Sequence, residues 1–482
     1  MTDIFDAIDR HAKHTPGSYA FISPAASLNY SGLSDGIRNI ATRALTMNIS
    51  PGSLVGVRCR NPNVEILTNL GLMRAGMRVG IAGNKSTYAE HGVVLDVLLT
   101  DGSTHGGKDV AARRHIPLTP DWVQPHEFSN RKIEPTDYGL IFASSGSTGA
   151  SKLLFASREN IDYRVDVKSG EPWFHEDMRF MTLSQPNSMT SFLDAVITLV
   201  KGGQVVRLDA MPPAQTLDAI TVFQPTYVNT PPYTLVSLLE GLKTNPRKLR
   251  KIDYLRVAGA YCSPQVRASA KELLASHVIT SYGATETGRI AFAELEDIAG
   301  IDGAVGAIMA GLAVETVDDS GAPLPQGETG ELRVKPPAES PLSYFSSGEL
   351  ISPLKDGWFY PGDIGRVDEK NNLIISGRKS SVINMGGNKV DPERVESALI
   401  RIDGIEDVAV GPFRSASGYD VIVALVKSSG PIQLEQLNQF LEKNRQIYRI
   451  DSIRRVSSIP RNTNGKIDRR AVLEQIKSPA KH

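Results

Sequence analysis

Ser144–Lys152, SSGSTGASK, sets glycines, hydroxyls and a lysine directly behind the apolar run Tyr138, Leu140, Ile141 and Phe142. The apolar run reads as a buried strand, so the stretch leaves a strand at its carboxyl end, where α/β sheets place their ligands. Gly146 and Gly149 allow the backbone to turn its N–H groups toward an anion, Ser144, Ser145, Ser147 and Thr148 add hydroxyl donors, and Lys152 adds a point charge. Such a stretch suits a polyphosphate. A Gly/Ser surface turn has the same composition, and two residues between Gly146 and Gly149 rule out a Walker A loop, which needs four. Alone, it points to phosphate and leaves the reaction open.

Outward from this stretch the pattern alternates. Strand-like runs at Val55–Cys59, Phe180–Leu183, Gln204–Leu208, Thr226–Asn229, Tyr254–Ala258 and Val278–Tyr282 are interleaved with helical patterns at Phe192–Val200, Thr216–Phe223 and Pro264–Leu274, which predicts layered α/β architecture with largely parallel sheets. After about Gly303, Gly-rich turns separate short β runs (Ala313–Val317, Glu331–Val334) with no helix between them, which predicts a small antiparallel sheet or barrel. From about Lys379 the texture becomes α+β: a helix at Pro392–Ile402, strands at Val408–Gly411 and Tyr419–Val426, and a helix at Leu434–Lys443.

Composition bounds the function. The 482 residues exceed one ordinary core, and 53 basic against 53 acidic residues leave no whole-molecule field for nucleic acid or an anionic membrane. No nucleic-acid or membrane partner is expected. Cys59 and Cys262 have no metal-type spacing and read as reduced structural thiols, which predicts a cytoplasmic protein. His11 and His14 read as solvated surface residues of an N-terminal helix, not as metal ligands.

Four further stretches follow in order: SYGATETG at Ser281–Gly288, GWFYPGDIG at Gly357–Gly365, SGRKSSVINMGG at Ser376–Gly387, and PRNTNGKIDRR around Lys466. With the opening stretch they resemble the adenylate-forming superfamily of acyl-CoA synthetases, nonribosomal-peptide adenylation domains and luciferases, and the resemblance runs over nearly the whole chain. It implies a large N-terminal nucleotide-binding domain of layered α/β subdomains (1–378, with a β-barrel-like part at about 303–378), a hinge at 379–381 and a small mobile α+β C-terminal domain (382–482).

The resemblance also implies roles. Ser144, Ser145, Gly146, Ser147, Thr148, Gly149 and Lys152 would cradle the ATP phosphates, with Thr148 and Glu286 holding Mg2+. Gly259, Ala260, Tyr282 and Gly283 would border adenine, Thr285 would bond the α-phosphate, Asp363 would accept from the ribose hydroxyls, and Arg378 would support the nucleotide. Lys466 would reach the bridging oxygens during adenylation and act, with Thr148 and Glu286, as a catalytic group. Gly386 and Gly387 would let a pantetheine thiol, from CoA or a carrier protein, pass close to the backbone.

The chain departs from the family pattern at Ser151, Pro361, Ser381 and Asn384, which bears more on the thiol step than on adenylation. Counting back from Gly202 places Ser188 or Met189 where amino-acid-activating domains carry aspartate, so an α-amino acid substrate is disfavoured, although Asp194 lies nearby. Asn187, Ser188, Met189, Phe192, Asn229 and Tyr233 would line a mixed acid pocket; Met189 as plain core is the competing view. The expected activity is that of an acid–thiol ligase forming AMP. A carrier-loading adenylation enzyme and a nucleotide-binding protein that has lost catalysis are the alternatives.

Overall fold

The structure is a computed structural model that describes residues 3–24, 26–81, 86–102, 110–125, 137–144, 152–186, 188–208, 211–381, 383–385, 388–414, 420–443, 449–462 and 465–478. Its largest sheet has thirteen strands among these residues. Six are mutually parallel: Tyr19–Ile22, Gln204–Val206, Arg179–Thr182, Tyr227–Thr230, Ile252–Ala258 and Ala275–Ala284. From Ala275–Ala284 onward the direction alternates, through Gly288–Glu294, Ala304–Ile308, Asn372–Arg378, Asp363–Val367, Gly330–Lys335 and Ala313–Val317. The β-rich texture after Gly303 is therefore the antiparallel end of this sheet.

The second sheet, of eight strands, holds the strand of the opening stretch, Gly139–Ser144. Here the order of elements departs from a strand that simply ends in a ligand loop. Lys152–Ser157 returns antiparallel to Gly139–Ser144, with Ser144 opposite Lys152. Leu153, Leu154 and Ala156 are fully buried, and a returning apolar strand hides behind a Gly/Ser-rich connection in the sequence.

One buried cluster joins the two sheets. It contains Phe21, Phe180 and Val205 from the first, Val55, Val79 and Leu140 from the second, and Ile37, Ile40, Leu70, Ala195 and Ile197 from the helices Tyr30–Thr46, Pro62–Arg74 and Met189–Val200. The last of these helices is apolar nearly all round and is buried accordingly. His11 corrects the reading of a solvated histidine: its Nε2 donates to the Val200 carbonyl (2.9 Å) and its ring lies 5.3 Å from that of Tyr30, tying the first helix to this core.

Residues from Ile383 onward build a core of their own. Ile405–Arg414 pairs antiparallel with Asp420–Ser428, which pairs in parallel with Ser452–Arg455. Alternation along the first strand sends Val408 and Val410 to one face, with Leu437 and Leu441 of the helix Leu434–Lys443, while Ala409 faces Val472 and Ile476 of the helix Arg469–Lys477. Burying each such leucine contributes about 1.5–3 kcal/mol.

Candidate active site

The carboxyl ends of the parallel strands supply one wall. Ile252–Ala258 ends at Gly259, which has φ +98, and Ala260 follows; both are exposed. The positive φ turns the backbone sharply at the strand end without the strain a Cβ would bring. The next strand, Ala275–Ala284, brings Tyr282 and exposed Gly283 alongside. Facing them, Asp363 and Arg378 are cross-strand partners in the antiparallel pair Asp363–Val367 and Asn372–Arg378.

That register makes a compact polar group. Arg378 Nε lies 3.0 Å from Asp363 Oδ1, the Tyr282 hydroxyl donates to Asp363 Oδ2, and Arg378 Nη1 donates to the Pro361 carbonyl (2.7 Å). Asp363 is buried, and burial raises its carboxyl pKa above the ordinary aspartate value, with Arg378 and Tyr282 pulling the other way. Burial likewise raises the Tyr282 phenol, helped by the Asp363 charge.

A second group forms around Glu286. The Tyr344 hydroxyl, from the strand Ser343–Ser346, donates to Glu286 Oε1 (3.3 Å) and accepts from Lys152 Nζ (3.2 Å), and Lys152 lies 4.0 Å from the same carboxylate oxygen. Behind it, Arg164 holds the segment in place: Nη1 donates to the Thr285 carbonyl (3.0 Å), and Nη2 to the carbonyls of Glu286 (3.0 Å) and Ser340 (2.8 Å). Burial lowers the Arg164 guanidinium to about 10. A buried cation bonding three carbonyls fixes the backbone from which Thr285 and Glu286 project. The Glu286 carboxylate offers hard oxygen donors that fit magnesium.

Lys466 arrives from the C-terminal unit. Its Cε lies 3.8 Å from where a Cβ on Gly259 would stand, so the side chain lies along the strand-end backbone beside the Asp363 group. The side chain keeps contact with solvent, yet partial burial lowers its ammonium pKa, with Glu393 and Asp363 opposing and Arg378 adding to the shift. The loop is shaped locally: Lys466 N–H donates to Asn462 Oδ1 (3.1 Å) and Asn462 N–H to the Lys466 carbonyl (2.8 Å).

The residues expected at the acid pocket divide. Ser188 caps the helix Met189–Val200 and donates to Ser191 Oγ (3.0 Å). Met189 and Phe192 are core, Phe192 edge-on to Phe142 at 5.9 Å. Asn229 is buried with both amide ends used, Oδ1 accepting from Thr182 (2.5 Å) and Nδ2 donating to Asp194 (3.0 Å). Tyr233 is exposed and carries the Arg461 guanidinium over its ring.

Asp194 is fully buried between Lys168 and Arg256, with Arg256 Nη2 2.6 Å from Oδ2. One carboxylate thus serves two cations. Burial opposes its charge but the two cations prevail and hold it ionised, while the surplus cation, Lys168, is lowered to about 8 by burial. Asp194 is therefore already paired and does not stand open to a substrate ammonium group.

Ser145, Gly146, Ser147, Thr148, Gly149, Ser151, Asn187, Gly386 and Gly387 lie outside the described residues, as do the side chains of Ser144 and Asn384. Arg164, Tyr344, Lys168 and Arg461 are not singled out by the sequence. Only the partial motif context of Arg461, inside PRNTNGKIDRR, offered a signal for any of them. Among the described residues no cluster of three or more His, Cys, Asp or Glu side chains is placed to hold a metal ion, and no helix is long and apolar enough to cross a membrane.

The sequence and the fold are similar to those of known proteins. The chain is similar to 4-chlorobenzoate–CoA ligase of an Arthrobacter species, at 24% identity over 99% of this chain and 96% of that one. It is also similar to 4-coumarate–CoA ligase CCL1 of Humulus lupulus, at 28% identity over 72% of this chain and 66% of that one. Its fold matches o-succinylbenzoate CoA synthetase (MenE) from Bacillus subtilis, solved with an acyl-adenylate intermediate, at a TM-score of 0.82 and 20% identity over 98% of each chain. The profile of AMP-binding enzymes matches residues 8–340, and the chain belongs to that family.

Proposed function

We propose that this protein is an ATP-dependent carboxylic acid–CoA ligase that works through an acyl-adenylate. The observation that carries the reading is the meeting of Lys466, from the C-terminal unit, with Gly259 and the Tyr282–Asp363–Arg378 group of the large unit. Homologous CoA ligases and the family match support it.

In the first step a substrate carboxylate oxygen attacks the α-phosphorus of ATP, the bond to the bridging oxygen breaks, and pyrophosphate leaves. Asp363 accepts from the ribose hydroxyls, Tyr282 stacks on adenine, and Thr285, held through its carbonyl by Arg164, bonds the α-phosphate. Glu286, with Thr148, holds magnesium, which supplies charge neutralisation at the phosphates when bound. Lys466 places its ammonium where negative charge grows on the leaving group, an interaction stronger in the transition state than in the ground state. The acid sits by Ser188 at the end of the helix Met189–Val200.

In the second step a thiol sulfur attacks the acyl carbon and AMP leaves with the bonding pair. For this we place a division at residues 379–381, about which 382–482 rotates to withdraw Lys466 and present the loop of Gly386 and Gly387 to the thiol. Cys59 and Cys262 are unpaired, which supports a reducing compartment such as the cytoplasm.

The test is product analysis with ATP, magnesium and CoA across aryl, short-chain, fatty and amino acids. The expected result is AMP, pyrophosphate and an acyl thioester with at least one non-amino acid. ADP as the product, or ATP cleavage indifferent to every acid, contradicts the reading. A pantetheinylated carrier in place of CoA separates the two acceptors.

A further inference from the structure

Arg461 makes contacts on every side of its guanidinium, and one of them crosses between the two units. Nε and Nη2 bond both oxygens of the buried Asp407 (3.1 and 2.6 Å), and Nη1 donates to the carbonyl of Gly465 (2.7 Å), the residue before Lys466. Its flat face lies 3.9 Å from the centroid of the Tyr233 ring. Gly465 meets the same ring: with φ +73 it turns the loop so that a Cβ there would stand 3.8 Å from Tyr233 Cδ1. Tyr233 belongs to the first turn of the helix Pro232–Thr244, which follows the strand Tyr227–Thr230 of the large sheet. Tyr233 is 43% exposed, while the other face of this helix buries Leu235, Leu238 and Leu239.

We propose that Tyr233 and Arg461 form a latch that seats the Lys466 loop for adenylation, making Arg461 and Tyr233 positioning residues and not part of the acid pocket. The inference rests on the ligase reading above. Asp407 fixes the guanidinium on its own unit, the Gly465 hydrogen bond couples it to the lysine loop, and the ring supplies a flat platform on the large unit. Other contacts across the junction, Tyr261 N–H to Glu393 (3.2 Å), Arg394 to Asp302 (3.4 Å) and Arg394 Nη2 to the Ile375 carbonyl (3.0 Å), join through the helix Pro392–Leu399 and not through the loop. A latch of this kind acts only while Lys466 is at Gly259, so it bears on the first half-reaction and is released for the second.

The test uses Tyr233→Leu and Tyr233→Phe, since Arg461→Ala also strips Asp407 of its partner and endangers the fold. Acid-dependent pyrophosphate exchange into ATP should fall about three- to thirtyfold in kcat for Tyr233→Leu, with the KM for the acid unchanged, and Tyr233→Phe should restore most of it because the ring is kept. Thioester formation from preformed acyl-adenylate should stay within about twofold of wild type for Tyr233→Leu, as expected for two half-reactions run in different arrangements. A loss appearing as a raised KM for the acid, or equal losses in both half-reactions, overturns the latch. Lys466→Ala is run alongside. If it lowers exchange while Tyr233→Leu does not, the latch alone fails; if it leaves exchange intact, the ligase reading and the latch fail together.

Discussion

Among the groups of the site with shifted protonation, Lys466 and Asp363 bear on the pH dependence of the proposed reaction. Burial lowers the Lys466 ammonium, so the charged form needed for adenylation is lost at a lower pH than for a free lysine. The alkaline limb of the adenylation rate should therefore fall below the ordinary lysine value near 10.4, and Lys466→Arg, whose charge persists, should lose that limb even if it is slower. A pH profile of pyrophosphate exchange checks this. Asp363 shifts the other way: burial raises its carboxyl, so protonation begins above the ordinary aspartate value. ATP affinity should weaken as pH falls through that raised value, and Asp363→Asn should cost about tenfold or more in ATP affinity at neutral pH, measured by titration calorimetry. An unchanged affinity would remove Asp363 from the ribose site.

Among the elements, the junction helix Pro392–Leu399 carries a pH dependence of its own. Its cap, Asp391, is buried, accepts from Glu393 N–H (3.1 Å), and stands so close to Gly377 that a Cβ there would meet its side chain at 2.8 Å. Burial pushes its carboxyl up to about 7, with Glu393 and Glu396 adding to the shift and Arg394 opposing it. The folded pKa lies above the unfolded one, so the stability this group contributes is present below about pH 4 and is lost as pH rises through about 7. Asp391→Asn keeps a capping side chain and removes that titration. Relative to wild type it should gain stability between pH 4 and 8, by at most on the order of 4 kcal/mol, as read by urea unfolding. A constant difference across that range contradicts the assignment.

Elements also show where sequence reading succeeds. Leu434–Lys443 and Ala313–Val317 fall where the sequence pattern places them, the helix because one face packs Leu437 and Leu441 on a core while the other meets water. Lys152–Ser157 escaped, since its partner strand is named only by tertiary pairing across the glycine-rich connection. The same limit governs the site. Tyr282, Asp363, Arg378 and Lys466 stand in recognisable motifs, and the structure brings them together. Arg164 and Tyr344 look like ordinary members of a helix and a short strand; only folding aims one at three carbonyls and the other at Glu286. Tyr233, expected in the acid pocket, carries over its ring the Arg461 guanidinium of the other unit.

At the scale of the whole molecule, the account is that two separately cored units share one reaction. The large unit sets Gly259 and Tyr282, at the ends of parallel strands, beside Asp363 and Arg378 of an antiparallel pair, and the small unit contributes a lysine whose loop is set by Asn462 and Arg461. Among the described residues, Lys466 is the side chain that approaches Gly259. The most direct measurement is acid-dependent exchange of pyrophosphate into ATP by wild type and Lys466→Ala, with ATP binding measured on both. The account predicts exchange in wild type and a loss of about a hundredfold or more in Lys466→Ala with ATP affinity nearly unchanged. Equal exchange rates in the two proteins would contradict it.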